Sequence, residues 1–159
     1  MCGLNWGATP LEQAAQMPCD AVMSNASVRA DRAITIHAPP HVVYAWLCQL
    51  RVAPYSYDLL DNFGRRSPRR RDPALRSLAP GQRFMTLFTL ASYVDDEHIT
   101  LRSKSAAVTY AVRSEASGSR LRVRVLFAGP RALARLLAVG DVVMMRKQLL
   151  TLKALAEDN

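Results

Sequence analysis

The sequence predicts a single α+β domain, and three observations carry that reading. Between residues 83 and 127, apolar and polar residues alternate in consecutive runs separated by short turns, the pattern of an antiparallel meander rather than a parallel sheet. Helical spacing is grouped towards the two ends of the chain. A length of 159 residues with 50% apolar and 21% charged side chains is ordinary globular composition, which excludes intrinsic disorder and a two-domain enzyme.

Residues 1–31 read as an N-terminal extension carrying a short helix docked on the domain. Thr9 and Glu12 have capping-box spacing with Pro10 suited to the first helical position, so a helix is expected over about 10–17. Pro18 stops it, Leu11, Ala14 and Ala15 form its docking side, and residues 21–31 read as a loose connector. Residues 33–37 alternate with β-branched side chains and form a strand with Ile34 and Ile36 inward. Pro39 and Pro40 end it and open a helix over 41–50, apolar nearly all round, with Val43, Trp46, Leu47 and Leu50 on one side. Ser56 can cap a short helix through Asp61, with Gly64 at its end.

Six arginines and two prolines mark 65–76 as an exposed loop. Residues 83–94 read as one long strand bent near Ala91 and Ser92, and Asp95, Asp96 and Glu97 make the turn that follows. Ile99 and Leu101 alternate with Thr100 and Arg102, and Val108, Tyr110 and Val112 with Thr109 and Ala111. Ser117, Gly118 and Ser119 supply a hairpin turn before the clearest strand, 120–127. There Leu121, Val123, Val125 and Phe127 face inward and Arg120, Arg122 and Arg124 face solvent. Two helical segments, 131–139 and 141–156, follow with an interruption at Gly140; Val142, Met145, Leu149 and Leu152 form the apolar stripe of the second. The count is five strands.

Twenty-one Lys and Arg against thirteen Asp and Glu give a net charge of +8, which bears on solubility and partners rather than on fold. Cys2, Cys19 and Cys48 are an odd number without Cys-x-x-Cys spacing, so no disulfide framework or zinc knuckle is expected and a reduced, cytoplasmic setting fits. Neither a signal peptide nor a membrane-spanning run is expected. His37, His41 and His98 are too scattered for a helical metal motif, and phosphate-loop and nucleophile-elbow patterns are missing; no metal and no cofactor is expected.

The element order, the segment from Arg32 through Ile34, Ile36 and Pro40 into Val42 and Leu47, the segment from Tyr55 to Asn62 and the segment from Val142 to Leu150 resemble the SRPBCC superfamily over most of residues 30–156. These are the START-like, polyketide cyclase-like proteins. The resemblance implies a helix-grip fold: a curved antiparallel sheet wrapped around a long C-terminal helix, with short helices after the first strand and an apolar cavity between sheet and helix. The family includes lipid carriers, hormone receptors and aromatase/cyclases, and its sheet has six or seven strands where five are counted here. Cavity size matters energetically. At roughly 24 cal/mol per Å³, an empty pocket of about 300 Å³ costs on the order of 7 kcal/mol, against a net stability of about 5–15 kcal/mol.

Tyr55, Met85, Phe88, Val108, Tyr110, Val123, Val125, Met145 and Leu149 are the candidate cavity residues, although plain core packing is the commoner role for residues of these types. Tyr57, Asp58 and His98 are the catalytic candidates. Asp58 with Asp61 could form an acid and base pair, yet a first-turn carboxylate that complements the helix dipole is the commoner role. Asp95, Asp96 and Glu97 beside His98 could raise its proton affinity and make it an acid catalyst, yet solvent exposure next to the turn is the commoner fate. Arg65, Arg66, Arg69, Arg70, Arg71 and Arg76 are concentrated enough to hold phosphates or carboxylates, against the plainer role of a solvated loop. They lack the aromatic platforms and reading helix of nucleic-acid recognition, so no specific nucleic acid is expected. The leading expectation is a monomer or weak homodimer that binds a small apolar or amphipathic ligand. The alternatives are a polyketide cyclase or dehydratase, and a module docking an acidic partner through residues 65–76.

Overall fold

The computed structural model describes residues 4–52, 55, 67–85 and 87–158. Seven strands among them form one open, mixed sheet: β1 (Asn5–Trp6), β2 (Val28–Ile36), β3 (Arg83–Phe84), β4 (Phe88–Val94), β5 (His98–Arg102), β6 (Ala106–Glu115) and β7 (Gly118–Phe127). The spatial order is β1-β2-β7-β6-β5-β4-β3, antiparallel throughout except for β1, which runs parallel to β2. The two strands beyond the expected five come from β1 and from the division of 83–94 into β3 and β4. Met85, at φ 47, lies in the turn between these two, and a bulge between Leu90 and Ser92 supplies the expected bend.

One face of the sheet carries the core. Ala30, Ile36, Leu90, Ile99, Leu101, Val108, Tyr110, Leu121, Val123 and Val125 are buried there beneath two helices, α3 (Pro40–Cys48) and the C-terminal helix Arg131–Glu157. Pro40 opens α3 as expected, and Val43 to Cys48 are all buried. The C-terminal helix is continuous through Gly140 and buries Ala134, Ala138, Met145, Gln148, Leu149 and Leu152 as one stripe. Its far end is tied to the end of β2: Lys153 Nζ donates to the Thr35 carbonyl at 3.0 Å, and the His37 amide donates to Glu157 at 2.9 Å.

The opposite face was expected to meet solvent and does not. The extension folds over it as two short helices, α1 (Pro10–Ala14) and α2 (Pro18–Val22). The Thr9 and Glu12 capping box forms as expected. Pro18 opens a second helix as well as blocking the first, and Val28 to Asp31 are already strand, so little of the connector is loose. The α1 helix docks by its polar side: Leu11 and Ala14 are exposed while Glu12 is buried. Met17, Cys19 and Met23 pack on Ala107 and Leu126, and the Cys19 amide donates to Thr109 Oγ1 at 3.0 Å.

Charges hold this layer in place. Arg124 is fully buried, and its guanidinium donates to Asp31 and Asp20 at 2.8 Å each and to the carbonyls of Ala15 (2.8 Å) and Gln13 (2.9 Å). Arg120 donates to both carboxylate oxygens of Glu12, at 2.8 and 2.9 Å. The strand alternation placed these arginines on the correct face; what covers that face comes from residues about a hundred positions away.

Candidate functional site

A row of paired residues crosses the core face from β4 to β2: Tyr93, Ile99, Tyr110, Val123 and Arg32. Arg32 has no exposed surface. Its Nη1 donates to the carbonyls of Leu4 at 2.6 Å and Asp31 at 3.0 Å, and its Nη2 lies 3.4 Å from Asp141 on the C-terminal helix. The Nε of the same guanidinium is buried without an acceptor among the described residues. Burial works against the charge of Arg32, and Asp141 and Asp31 support it. Burial pushes the Asp141 carboxyl up to about 6 against the pull of Arg32.

Tyr110, also fully buried, donates its hydroxyl to Gln148 Oε1 at 2.7 Å, and the Gln148 amide donates to the sulfur of Met85 at 3.5 Å. Burial raises the Tyr110 hydroxyl above its ordinary range. Arg32, Asp141, Tyr110 and Gln148 thus form a polar set beneath the C-terminal helix, surrounded by apolar side chains. A guanidinium with an unused N–H in so dry a setting is suited to a carboxylate, phosphate or carbonyl oxygen.

Of the nine candidate cavity residues, Tyr55, Val108, Tyr110, Val123, Val125, Met145 and Leu149 are buried in the main core cluster, and Met85 and Phe88 pack against it partly exposed. Arg32, Asp141 and Gln148 were missed. The signals were present: Arg32 shares the strand parity of Ile34 and Ile36, and Asp141 lies four residues before Met145 on the buried stripe.

His98 does not join this set. Its cross-strand partner is Ala111, on the outer face, and it lines a groove of about 470 Å³ there with Met17, Glu97, Arg113 and Arg122. Half-burial lowers its proton affinity and outweighs Glu97, so the raised affinity that would suit an acid catalyst is not found, and His98 is not fully solvent-exposed either. Tyr57, Asp58 and Asp61, with the helix expected around them, lie outside the described residues, as do Arg65 and Arg66.

Arg69, Arg70, Arg71 and Arg76, with Ala45, Asp72 and Pro73, line a concavity of about 380 Å³. Gln49 shapes it, donating to the Arg70 carbonyl at 3.1 Å and accepting from the Asp72 amide at 2.8 Å. Arg76 is not simply solvated: it pairs with Asp96 at 2.7 Å and lies 5.5 Å over the Tyr44 ring. The Tyr55 ring meets Trp46 edge-on at 6.0 Å, while the Trp46 indole and the Tyr44 hydroxyl are buried without hydrogen-bond partners among the described residues. Cys48 is fully buried, and that burial pushes its thiol up to about 12, so it packs as an apolar residue. No His, Cys, Asp and Glu cluster suited to a metal occurs among the described residues, and no helix there is long and apolar enough to cross a membrane.

No family model and no curated protein matches the sequence. Solved structures do. A Mesorhizobium loti protein is similar at 14% identity and a TM-score of 0.57, over 83% of this chain and 98% of its own. One from Rhodobacter sphaeroides has 13% identity and a TM-score of 0.57, over 85% and 96%. One from Nitrosomonas europaea has 13% identity and a TM-score of 0.56, over 83% and 96%. These likenesses bear on the fold alone.

Proposed function

We propose that the protein is a helix-grip member of the SRPBCC superfamily that binds a small amphipathic ligand between the sheet and the C-terminal helix, with the ligand's polar end at Arg32. The observation that carries this reading is the buried guanidinium with an unused N–H on the core face. The continuous C-terminal helix over an open antiparallel meander supports the fold assignment. Because His98 faces the other way, a cyclase built on it is not favoured. The test is a thermal-shift and native mass-spectrometry screen with fatty acids, sterols and aromatic polyketides. A ligand at a hundred times its Kd is expected to add about 2.7 kcal/mol. Carboxylate-bearing ligands should lose their effect in the double variant Arg32→Met/Asp141→Asn, which removes both charges together. A screen in which no compound stabilises the protein rejects the proposal.

A second reading, docking of an acidic partner through the arginine loop, rests on the concavity that Arg69, Arg70, Arg71 and Arg76 line. Its signature is salt dependence: four phosphate contacts give a log–log slope of about −3.6 on duplex DNA. Binding that is flat in salt removes it.

A further inference from the structure

The charge balance at Arg32 limits how an acidic ligand can enter. Arg32 has no exposed surface, and one carboxylate, Asp141, stands against its single positive charge. That contact is single and long, from Nη2 to one oxygen at 3.4 Å, while Nη1 is occupied by the Leu4 and Asp31 carbonyls. The Nε without an acceptor among the described residues belongs to the same guanidinium. A ligand carboxylate received there becomes a second anion on one cation. Two carboxylates sharing one buried countercharge do not both stay ionised, because the second charge is desolvated without a partner.

Among the described residues, Asp141 faces Arg32 on β2 and the Tyr110 hydroxyl on β6, which burial keeps neutral, with the apolar Val123 of β7 between them. The α3 helix carries His41, which is exposed, and Tyr44 and Cys48, both kept neutral by burial. On its own helix Arg135 and Arg146 are exposed, and the Asp31 carboxylate turns to Arg29 and Arg124 on the other face of the sheet. The Asp141 side chain is partly exposed, so a proton can reach it from solvent, and burial already favours its protonated form beside Arg32. We propose that the site takes a neutral carbonyl or hydroxyl acceptor as it stands, and a carboxylic acid only together with one proton, shared between the ligand and Asp141. This rests on ligand binding at Arg32 and adds a pH dependence that is confined to acids.

The experiment is isothermal titration calorimetry of the full chain with decanoic acid and with its methyl ester, in phosphate and in Tris, two buffers of different ionisation enthalpy. The bound state holds the extra proton, so affinity for the acid is greatest at low pH. Between about pH 7 and 8 the acid should take up about one proton per molecule bound and lose affinity by a factor of about ten. The ester should take up none and bind equally across that range. Asp141→Asn should remove both the uptake and the pH slope for the acid while the ester still binds. Should that variant fail to fold, the contrast between acid and ester in the wild type decides alone. Acid binding without proton uptake overturns the proposal, since Asp141 then swings out to solvent as an ion; uptake that persists in Asp141→Asn overturns it too. If neither probe binds, ligand binding at Arg32 falls, and the proton coupling with it.

Discussion

Arg32 and Arg124 are both fully buried, on opposite faces of the same sheet, and their surroundings differ in kind. Arg124 is enclosed by two carboxylates and by backbone carbonyls, a set that holds the extension in place. Arg124→Leu leaves Asp31 with Arg29 alone and takes the donor away from Asp20 and from the Ala15 and Gln13 carbonyls, so a loss on the order of 3 kcal/mol is expected in denaturant unfolding; a loss under about 1 kcal/mol would show that the pair is not structural. Arg32 has one carboxylate, at 3.4 Å, whose pKa is about 6. The sign follows from that direction. A carboxyl raised in the folded state above its ordinary value of 3.8 favours the folded state when protonated. Its stabilisation is complete below about pH 4 and is lost as pH rises through 6. Between those values the wild type should lose on the order of 1–3 kcal/mol relative to Asp141→Asn, the variant serving to cancel all other titrations. Parallel stability curves for the two proteins would contradict the assignment.

Among the elements, the longer strands and α3 were legible because alternation and proline placement act locally, within a few residues, whereas the two-residue β1 and β3 are too short to alternate. The continuity of the C-terminal helix was not, because a glycine weakens a helix without specifying whether packing carries it across. At Gly140 an added Cβ meets nothing within 4 Å, and the residue is not at positive φ. Gly140→Ala should therefore stabilise by about 0.5–1 kcal/mol, read as a raised denaturant midpoint. A destabilised variant would mean that the helix needs to break there. The extension was legible as a capping box and not as a cover, because Glu12 meets Arg120 across 108 positions. That pairing, led by the hydrogen bond from Arg120, holds the Glu12 carboxyl down to about 2. Its contribution is present above pH 4.5 and disappears as pH falls towards 2, opposite in sign to Asp141. Glu12→Gln should cost on the order of 1–2 kcal/mol at neutral pH, allowing for solvent screening, and flatten the acid limb. The polar set under the helix was hidden for a different reason. Periodicity gives the face on which Arg32 and Asp141 lie, while their meeting depends on how the C-terminal helix crosses β2.

For the molecule as a whole, the net charge of +8 is a residue left after unequal local cancellation. The arginines of the outer face are largely paired: Arg29 with Asp31, Arg120 with Glu12, and Arg124 with Asp20 and Asp31. Among the described residues the excess is densest elsewhere, at Arg69 and Arg70 in the arginine loop. Neither Arg69 nor Arg70 has an ion-pair partner among the described residues, and both are exposed. At physiological ionic strength charges are screened beyond about 8 Å, so a polyanion senses such local charge rather than the total. Two double variants that remove the same net charge should then behave differently on a heparin column. Arg69→Gln/Arg70→Gln takes charge from two exposed arginines without ion-pair partners among the described residues and should elute at distinctly lower salt than the wild type. Arg29→Gln/Arg113→Gln takes it from cations that already lie beside Asp31 and Glu12, and should move elution less. Equal shifts would mean that the +8 acts as a diffuse field, and the arginine loop would lose its claim to be a docking surface.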